Sequence, residues 1–219
     1  RRKDWNRELD AVPSVISKLE DLPSRLAARL SQPADRPGLQ GLSPKLSYGR
    51  HSGPPRQDAR AASVLVLLYR HGDQWHLPLT RRPDHLTQHA GQISLPGGAQ
   101  EPDESSEAAA LREAREELGV APADSQVLGS LSPIYLFNSN FFVTPWVAAT
   151  AEPLRFLPNP AEVAELIELP ISALLLPQHA AKMEIKRGRL RFSAPCILWQ
   201  GTSIWGATYC VLGQLARML

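Results

Sequence analysis

A chain of 219 residues with 43% apolar residues can bury the core of one compact domain with additions, which excludes global disorder. Its net charge of +2 excludes a nucleic-acid binder held by bulk electrostatics, and no apolar run approaches the ~20 residues of a membrane-spanning helix. Cys196 and Cys210 give neither a disulfide framework nor a zinc spacing, so a reducing compartment, the cytoplasm first, is expected.

The basic start Arg1-Arg2-Lys3 lacks the apolar stretch of a signal peptide, while organelle targeting stays open because no Met begins the chain. Residues 1–32 repeat Val12, Val15, Ile16, Leu19, Leu22, Leu26 and Leu30 at steps of three and four. That period predicts amphipathic helix, opened or kinked at Pro13 or Pro23. Its apolar side must be covered, by the domain or by a second copy in a homodimer. Residues 33–60 are rich in Pro, Gly, Ser and Arg and predict an extended linker. Tyr48, Arg50, His51, Arg56 and Arg60 are cationic or polar enough to reach an anion, although solvent is their default. The division expected is therefore residues 1–59 as helical extension and linker, and 60–219 as the main domain.

Ala61 to Tyr69 is a continuous apolar run, as a doubly covered strand requires. His71-Gly72-Asp73 turns the chain back into Trp75 to Thr80 as a hairpin. A polar loop over 81–91 precedes a short strand, Gln92 to Leu95, that delivers Pro96-Gly97-Gly98 as a turn. A helix follows, with Asp103 as N-cap and Gly119 past its end, about 15 residues long. Glu104 and Glu107 lie early in it, where negative charge suits the helix dipole.

Gln126 to Leu136 and Phe141 to Thr150 read as strands about an Asn138-Ser139-Asn140 turn, and a proline-rich loop covers 152–161. Glu162 to Leu169 is extended, and Pro170 to Leu176 predicts a short helix. Met183 to Lys186 and Leu190 to Phe192 form a hairpin, and Thr202 to Leu219 closes the chain as helix. Strands on both sides of one long helix suggest an α+β protein or an α/β/α sandwich. Trp146, Trp199, Phe141 and Phe142 read as core, with one of the Phe pair as an alternative adenine contact.

The chemistry concentrates in residues 97–120. Glu113, Glu116 and Glu117 stand at i, i+3 and i+4 and share a helix face. Like charges so spaced cost roughly 0.2–0.5 kcal/mol per pair, relieved in part by Arg112 and Arg115. A solvated acidic face is the ordinary meaning of such a run. Here the fixed offsets of Gly98, Glu104, Arg112 and Gly119 add to it. Oxygen ligands in this number suit Mg²⁺, which takes one or two carboxylates together with waters and substrate phosphates.

Gly98, five residues, Glu104, seven residues, then Arg112-Glu113-Ala114-Arg115-Glu116-Glu117-Leu118-Gly119-Val120, resembles the Nudix box with every fixed position filled. The resemblance implies an α/β/α sandwich with a mixed sheet over roughly 60–219. It also implies Mg²⁺- or Mn²⁺-dependent hydrolysis of a diphosphate in a small nucleotide substrate. The metal ligands would be Glu113, Glu116, Glu117 and the Gly98 carbonyl, with Glu104 and Arg112 as an orienting pair. A Glu from a later loop, Glu162, or alternatively Glu165 or Glu168, would be the general base or a further ligand.

Residues Leu79 to Gly98 also resemble the signature of the coenzyme A pyrophosphatase branch, roughly Leu-Thr-x-Arg-Ser-x-x-Leu-Arg-x-His-x-Gly-x-x-x-Phe-Pro-Gly-Gly. Leu79, Thr80, Arg82, Leu86, His89, Gly91, Pro96, Gly97 and Gly98 match, and Trp205-Gly206-Ala207-Thr208 resembles the branch as well. Pro83, Thr87 and Leu95 depart from it, and Thr87 removes a permanent cation. The implied substrate is coenzyme A, bound through Arg81, Arg82, His89, Gly97 and Gly98. The alternatives are ADP-ribose, NADH or a dinucleoside polyphosphate, or a binding module without turnover. His85 and His89 at i, i+4 would suit zinc only on a helix, which Pro83 and Gly91 disfavour.

Overall fold

Strand β1, Arg60–His71, runs through the centre of the molecule and explains the layering on its own. Leu65 and Leu67 face one side, among Ala110, Ala114 and Leu118. Val66 and Leu68 face the other, among Leu22, Leu26, Leu30 and Leu212. Both faces are covered, so the strand needs no polar alternation. The structure is a computed structural model that describes residues 21–32, 37–43, 53–85, 90–120, 125–188 and 190–219.

Two sheets form among the described residues. The larger has eight strands. β2 (Gln74–Arg81) returns from β1 as the expected hairpin, with Gly72 at φ 60° in the turn. β3 (Ile93–Ser94) and β8 (Glu165–Pro170) pair with β2, and β4 (Gly97–Ala99) pairs with β1. β7 (Phe141–Thr150) lies parallel to β1 from Arg60↔Phe141 to Tyr69↔Thr150, which makes the sheet mixed. β5 (Gln126–Ser130) and β6 (Ile134–Leu136) pair antiparallel with β7. The smaller sheet holds β9 (Ala180–Arg187), β10 (Leu190–Trp199) and β11 (Thr202–Trp205), all antiparallel.

Helix α2, Ser106–Leu118, covers one face of the large sheet. Helices α1, Leu22–Leu30, and α3, Gly206–Ala216, contribute to the core on the other. The result is the α/β/α sandwich around a mixed sheet that the sequence implied. No helix among the described residues is long and apolar enough to cross a membrane.

Several expectations change. Within residues 1–32 the described helix is Leu22–Leu30, opened by Pro23 in its first turn, and Val12 to Leu19 lie outside the described residues. Its Leu22, Leu26 and Leu30 are buried in this chain's own core, so this chain covers the apolar side. Leu39 and Leu42 of the expected linker are buried too. Leu42 packs so closely on α3 that a Cβ at Gly213 would lie 2.5 Å from it. Arg56 and Arg60 lie over the Phe137 and Phe141 rings, while Tyr48, Arg50 and His51 fall outside the described residues.

The strand expected over 126–136 is two strands. Pro133 has no N–H for the ladder, and the buried Gln214 side chain takes both the N–H and the carbonyl of Ser132, at 3.0 and 3.1 Å. The closing helix begins at Gly206 because Thr202–Trp205 is drawn into β11 against β10. Pro170–Leu176 tightens to a 3-10 turn over Ile171–Leu174.

Candidate active site

The glycine turn is a strand. Gly97 and Gly98 pair with Val64 and Ser63 of β1, and the Pro96 carbonyl accepts from the Leu65 N–H at 2.9 Å. Glycine is required at Gly97, and at Gly98 a side chain would displace a carboxylate. Gly97 has φ 155°, and a Cβ there would lie 2.3 Å from the Ser63 carbonyl oxygen. A Cβ on Gly98 would lie 2.4 Å from Glu113 Oε1, so the missing side chain is the space the carboxylate occupies.

Helix α2 is capped by Ser105, whose hydroxyl accepts from the Ala108 N–H at 3.1 Å. Asp103 instead has φ 62° in the preceding turn, and Glu104 lies before the cap. The serine wins because its backbone is extended, as an N-cap requires, whereas the Asp103 backbone is left-handed. Small residues Ala109, Ala110 and Ala114 let the helix sit close on the sheet. Ser106 pins its first turn by accepting from Trp146 Nε1 at 2.7 Å and from Ser63 Oγ at 3.3 Å.

Arg112 is the hub of the surface. Its Nε donates to Glu104 Oε1 at 2.9 Å and its Nη2 to Glu104 Oε2 at 3.2 Å and to the Ala99 carbonyl at 3.1 Å. Its Nη1 reaches Glu113 Oε1 at 3.0 Å and Glu116 Oε2 at 2.9 Å. Glu104 also accepts from the Glu101 N–H at 3.1 Å, and its pKa is lowered, first by Arg112 and then by that N–H. One guanidinium thus ties the loop, the strand and the helix together, in the forked geometry Arg makes with carboxylates.

Glu117 differs. It is 4% exposed and its Oε2 has no hydrogen-bond partner. Burial, followed by the charge of Glu113, pushes its pKa up from 4.5 to about 8; the Gly97 N–H opposes this, Glu162 adds to it and Arg82 opposes it. Glu113 is raised as well, first by burial, with Arg112 opposing and the charges of Glu116 and Glu162 adding. Glu113 and Glu162 therefore lie within electrostatic reach of Glu117, and Glu116 and Glu162 within reach of Glu113. Arg82 faces the same group, and its buried Nε has no partner either.

Glu162 arrives from the loop between β7 and β8. Gly119 ends α2 at φ 66°, and a Cβ there would lie 2.8 Å from the Leu157 carbonyl oxygen. The loop then docks on the last carbonyls of α2, with Leu157 N–H on Leu118 and Asn159 N–H on Glu117, both at 2.8 Å. Asn159 Nδ2 donates to Glu162 Oε1 at 3.1 Å.

The other candidates part company. Arg81 pairs with Glu165 at 2.8 Å and stands 3.6 Å from Asp84. Glu168 lies beside Tyr69 and His71, six residues along β1 from Ser63 and about 20 Å away at roughly 3.3 Å per residue. His89 lies outside the described residues together with Leu86 and Thr87, so the His85–His89 pair is not described as a unit. Sequence reasoning missed Ser63, Ser106 and Asn159. Only Asn159 carried a signal, Asn159-Pro160-Ala161, a turn in which Asn159 Oδ1 accepts from the Ala161 N–H at 3.1 Å.

The donor set fits a hard divalent cation. Every candidate ligand is oxygen, and the unpartnered Glu117 Oε2 is a buried acceptor lacking a positive neighbour in bonding distance. Among the described residues no three His, Cys, Asp or Glu side chains stand converged as a coordination shell. Glu113 and Glu116 are instead both paired with Arg112 Nη1, at 3.0 and 2.9 Å.

The NUDIX domain family model matches residues 59–187. The uncharacterized Nudix hydrolase NudL of Pectobacterium atrosepticum is 40% identical over 166 residues, covering 75% of this chain and 85% of that protein. NudL of Yersinia enterocolitica is 38% identical over 144 residues, or 65% of this chain and 73% of its own length. Among solved structures, the M. smegmatis Nudix hydrolase RenU aligns over 53% of this chain and 74% of its own, at 27% identity and a TM-score of 0.46.

Proposed function

The chain belongs to the NUDIX domain family and is a Nudix hydrolase, and we propose that it acts on a nucleoside diphosphate derivative, coenzyme A or a derivative of it. Hydrolysis would give 3′,5′-ADP and 4′-phosphopantetheine, with Mg²⁺ or Mn²⁺ as cofactor. Glu113, Glu116, Glu117 and the Gly98 carbonyl would hold the cation. When bound, a divalent ion neutralises diphosphate charge and acidifies water.

The residues divide the remaining work. Glu162 takes a proton from the attacking water. The water oxygen bonds to one phosphorus, the bridging P–O bond breaks, and the leaving phosphate departs with the electron pair. Arg82 binds the phosphate oxygens, since its unpartnered buried Nε is a donor without an acceptor. Glu104 and Arg112 orient the loop and the helix. The resemblance adds Gly97, Gly98 and His89 to the substrate contacts, and Arg81 stands behind Arg82, paired with Glu165 of β8.

The observation that carries the chemistry is Glu117, a buried carboxylate with one unpartnered oxygen that feels the charges of Glu113, Glu162 and Arg82. The substrate rests on the match from Leu79 to Gly98. Thr87, in place of an Arg, favours a second reading in which ADP-ribose, NADH or a dinucleoside polyphosphate is the substrate. A panel of coenzyme A, its oxidised and acyl forms, ADP-ribose, NADH and a dinucleoside polyphosphate, each with Mg²⁺ and with Mn²⁺, tests this. Release of 3′,5′-ADP at the highest kcat/KM supports coenzyme A. Faster release of AMP from ADP-ribose or NADH moves the assignment to the second reading.

A further inference from the structure

We infer that Asn159 is a positioning residue that fixes the Glu162 carboxylate relative to Glu117, and that its side-chain amide rather than its turn is what the reaction depends on. The inference rests on the reading of Glu162 as a working carboxylate. Asn159 uses nearly every polar atom it has on these two residues. Its N–H donates to the Glu117 carbonyl at 2.8 Å, one of the carbonyls a helix end leaves without an internal partner. Its Nδ2 donates to Glu162 Oε1 at 3.1 Å, and its own carbonyl accepts from the Glu162 and Val163 N–H groups at 3.0 and 2.8 Å. Its Oδ1 closes the turn on Ala161.

The strap has a physical purpose. Glu162 stands on a loop, and its charge is repelled by those of Glu113 and Glu117. Left to itself the side chain would rotate toward solvent, where a carboxylate is well hydrated. One neutral N–H donor holds it inward without adding a cation that would compete for it, as Arg112 does for Glu113 and Glu116. The main-chain bond to Glu117 makes the end of α2 the reference for that position. Asn159 bonds to Glu162, Ala161, Val163 and the Glu117 carbonyl, so it acts through Glu162 and its contribution belongs in kcat.

Asn159→Asp and Asn159→Ala separate the two roles. The aspartate keeps the acceptor for Ala161, loses the donor to Glu162 and sets a like charge beside it, whereas the alanine removes the amide without adding charge. Both variants are expected to lower kcat about tenfold or more on the best wild-type substrate of the panel, with KM within about twofold. In a Glu162→Ala background Asn159→Ala should cost less than about twofold, because a residue acting through Glu162 has nothing left to act on. In metal-free protein, the Asn159 side-chain amide resonances should move on Glu162→Ala and stay on Glu165→Ala. Full kcat in Asn159→Asp, equal losses in both backgrounds, or an amide indifferent to Glu162 would each overturn the inference. A wild-type chain inactive on the whole panel would instead count against the proposed function, and the amide resonances would still decide the role of Asn159.

Discussion

Glu117 and Glu168 stand toward opposite ends of the large sheet, each beside β1 and each among polar neighbours, yet their surroundings differ in kind. Glu168 accepts from the Tyr69 hydroxyl and lies 3.2 Å from His71 Nδ1. Burial pushes its pKa up, but Tyr69 and His71 outweigh that and leave it below its ordinary value. Glu117 is more deeply buried, meets other carboxylates, and keeps one oxygen without any donor. A satisfied carboxylate is part of the architecture. An unsatisfied buried one is a standing cost, of the size that leaving a charged group unpaired carries. That cost is explained when something absent from the chain itself completes the site.

The comparison breaks first at Glu117→Gln. Hydrolysis should fall by orders of magnitude, while the metal-free protein should become more stable at pH 8. The sign follows from proton linkage. The folded pKa of about 8 lies above the ordinary 4.5, so the folded state holds a proton that the unfolded state releases between those values. Stability from this group is complete below about pH 4.5 and is lost as pH rises through about 8, at roughly 1.4 kcal/mol per pH unit at most. Urea unfolding of both proteins in chelator, from pH 4 to pH 9, checks it. A wild-type advantage at pH 8 would remove the basis of the comparison.

Cation binding should act in the opposite sense. Mg²⁺ or Mn²⁺ must displace the Glu117 proton, so added ion should raise the melting temperature more at pH 8 than at pH 5. Equal shifts at both pH values would place the ion elsewhere. Gly98→Ala is a smaller lesion of the same end. Its Cβ needs the space of the Glu113 carboxylate, so kcat/KM should fall about tenfold or more through a displaced ligand. At the other end, Glu168→Ala should cost only about 1–2 kcal/mol of stability from the lost hydrogen bonds and change the rate less than about twofold. A large rate loss in Glu168→Ala would mean that the two ends are coupled.

The contrast between these ends was only partly legible in the sequence. Glu113, Glu116 and Glu117 announced a shared face through helical spacing, and the apolar run of β1 announced a doubly covered strand. Neither told which of the three carboxylates is buried, because that depends on how close α2 lies to β4, and the distance is set by Gly97, Ala110, Ala114 and the Ser63–Ser106–Trp146 contacts. The pairing of Gly97 and Gly98 as strand was invisible for the same reason, since glycines read locally as a turn until β1 offers them a partner. Thr202–Trp205 was likewise lost to the helical pattern, because strand pairing with β10 is a long-range gain. Glu162 was the first choice in the sequence, with Glu168 an alternative that spacing alone did not dismiss. The register of β8 on β2 and the Asn159 turn send one to Tyr69 and the other to Glu117.

The most direct test is the titration of Glu117 itself. Its side-chain carboxyl carbon, followed by NMR from pH 4 to pH 10 in metal-free protein, is expected to titrate near pH 8, and after saturation with Mg²⁺ to be ionised throughout that range. A midpoint near 4.5 in the metal-free protein, or a midpoint near 8 that Mg²⁺ leaves unchanged, would contradict the assignment of this carboxylate to a divalent cation.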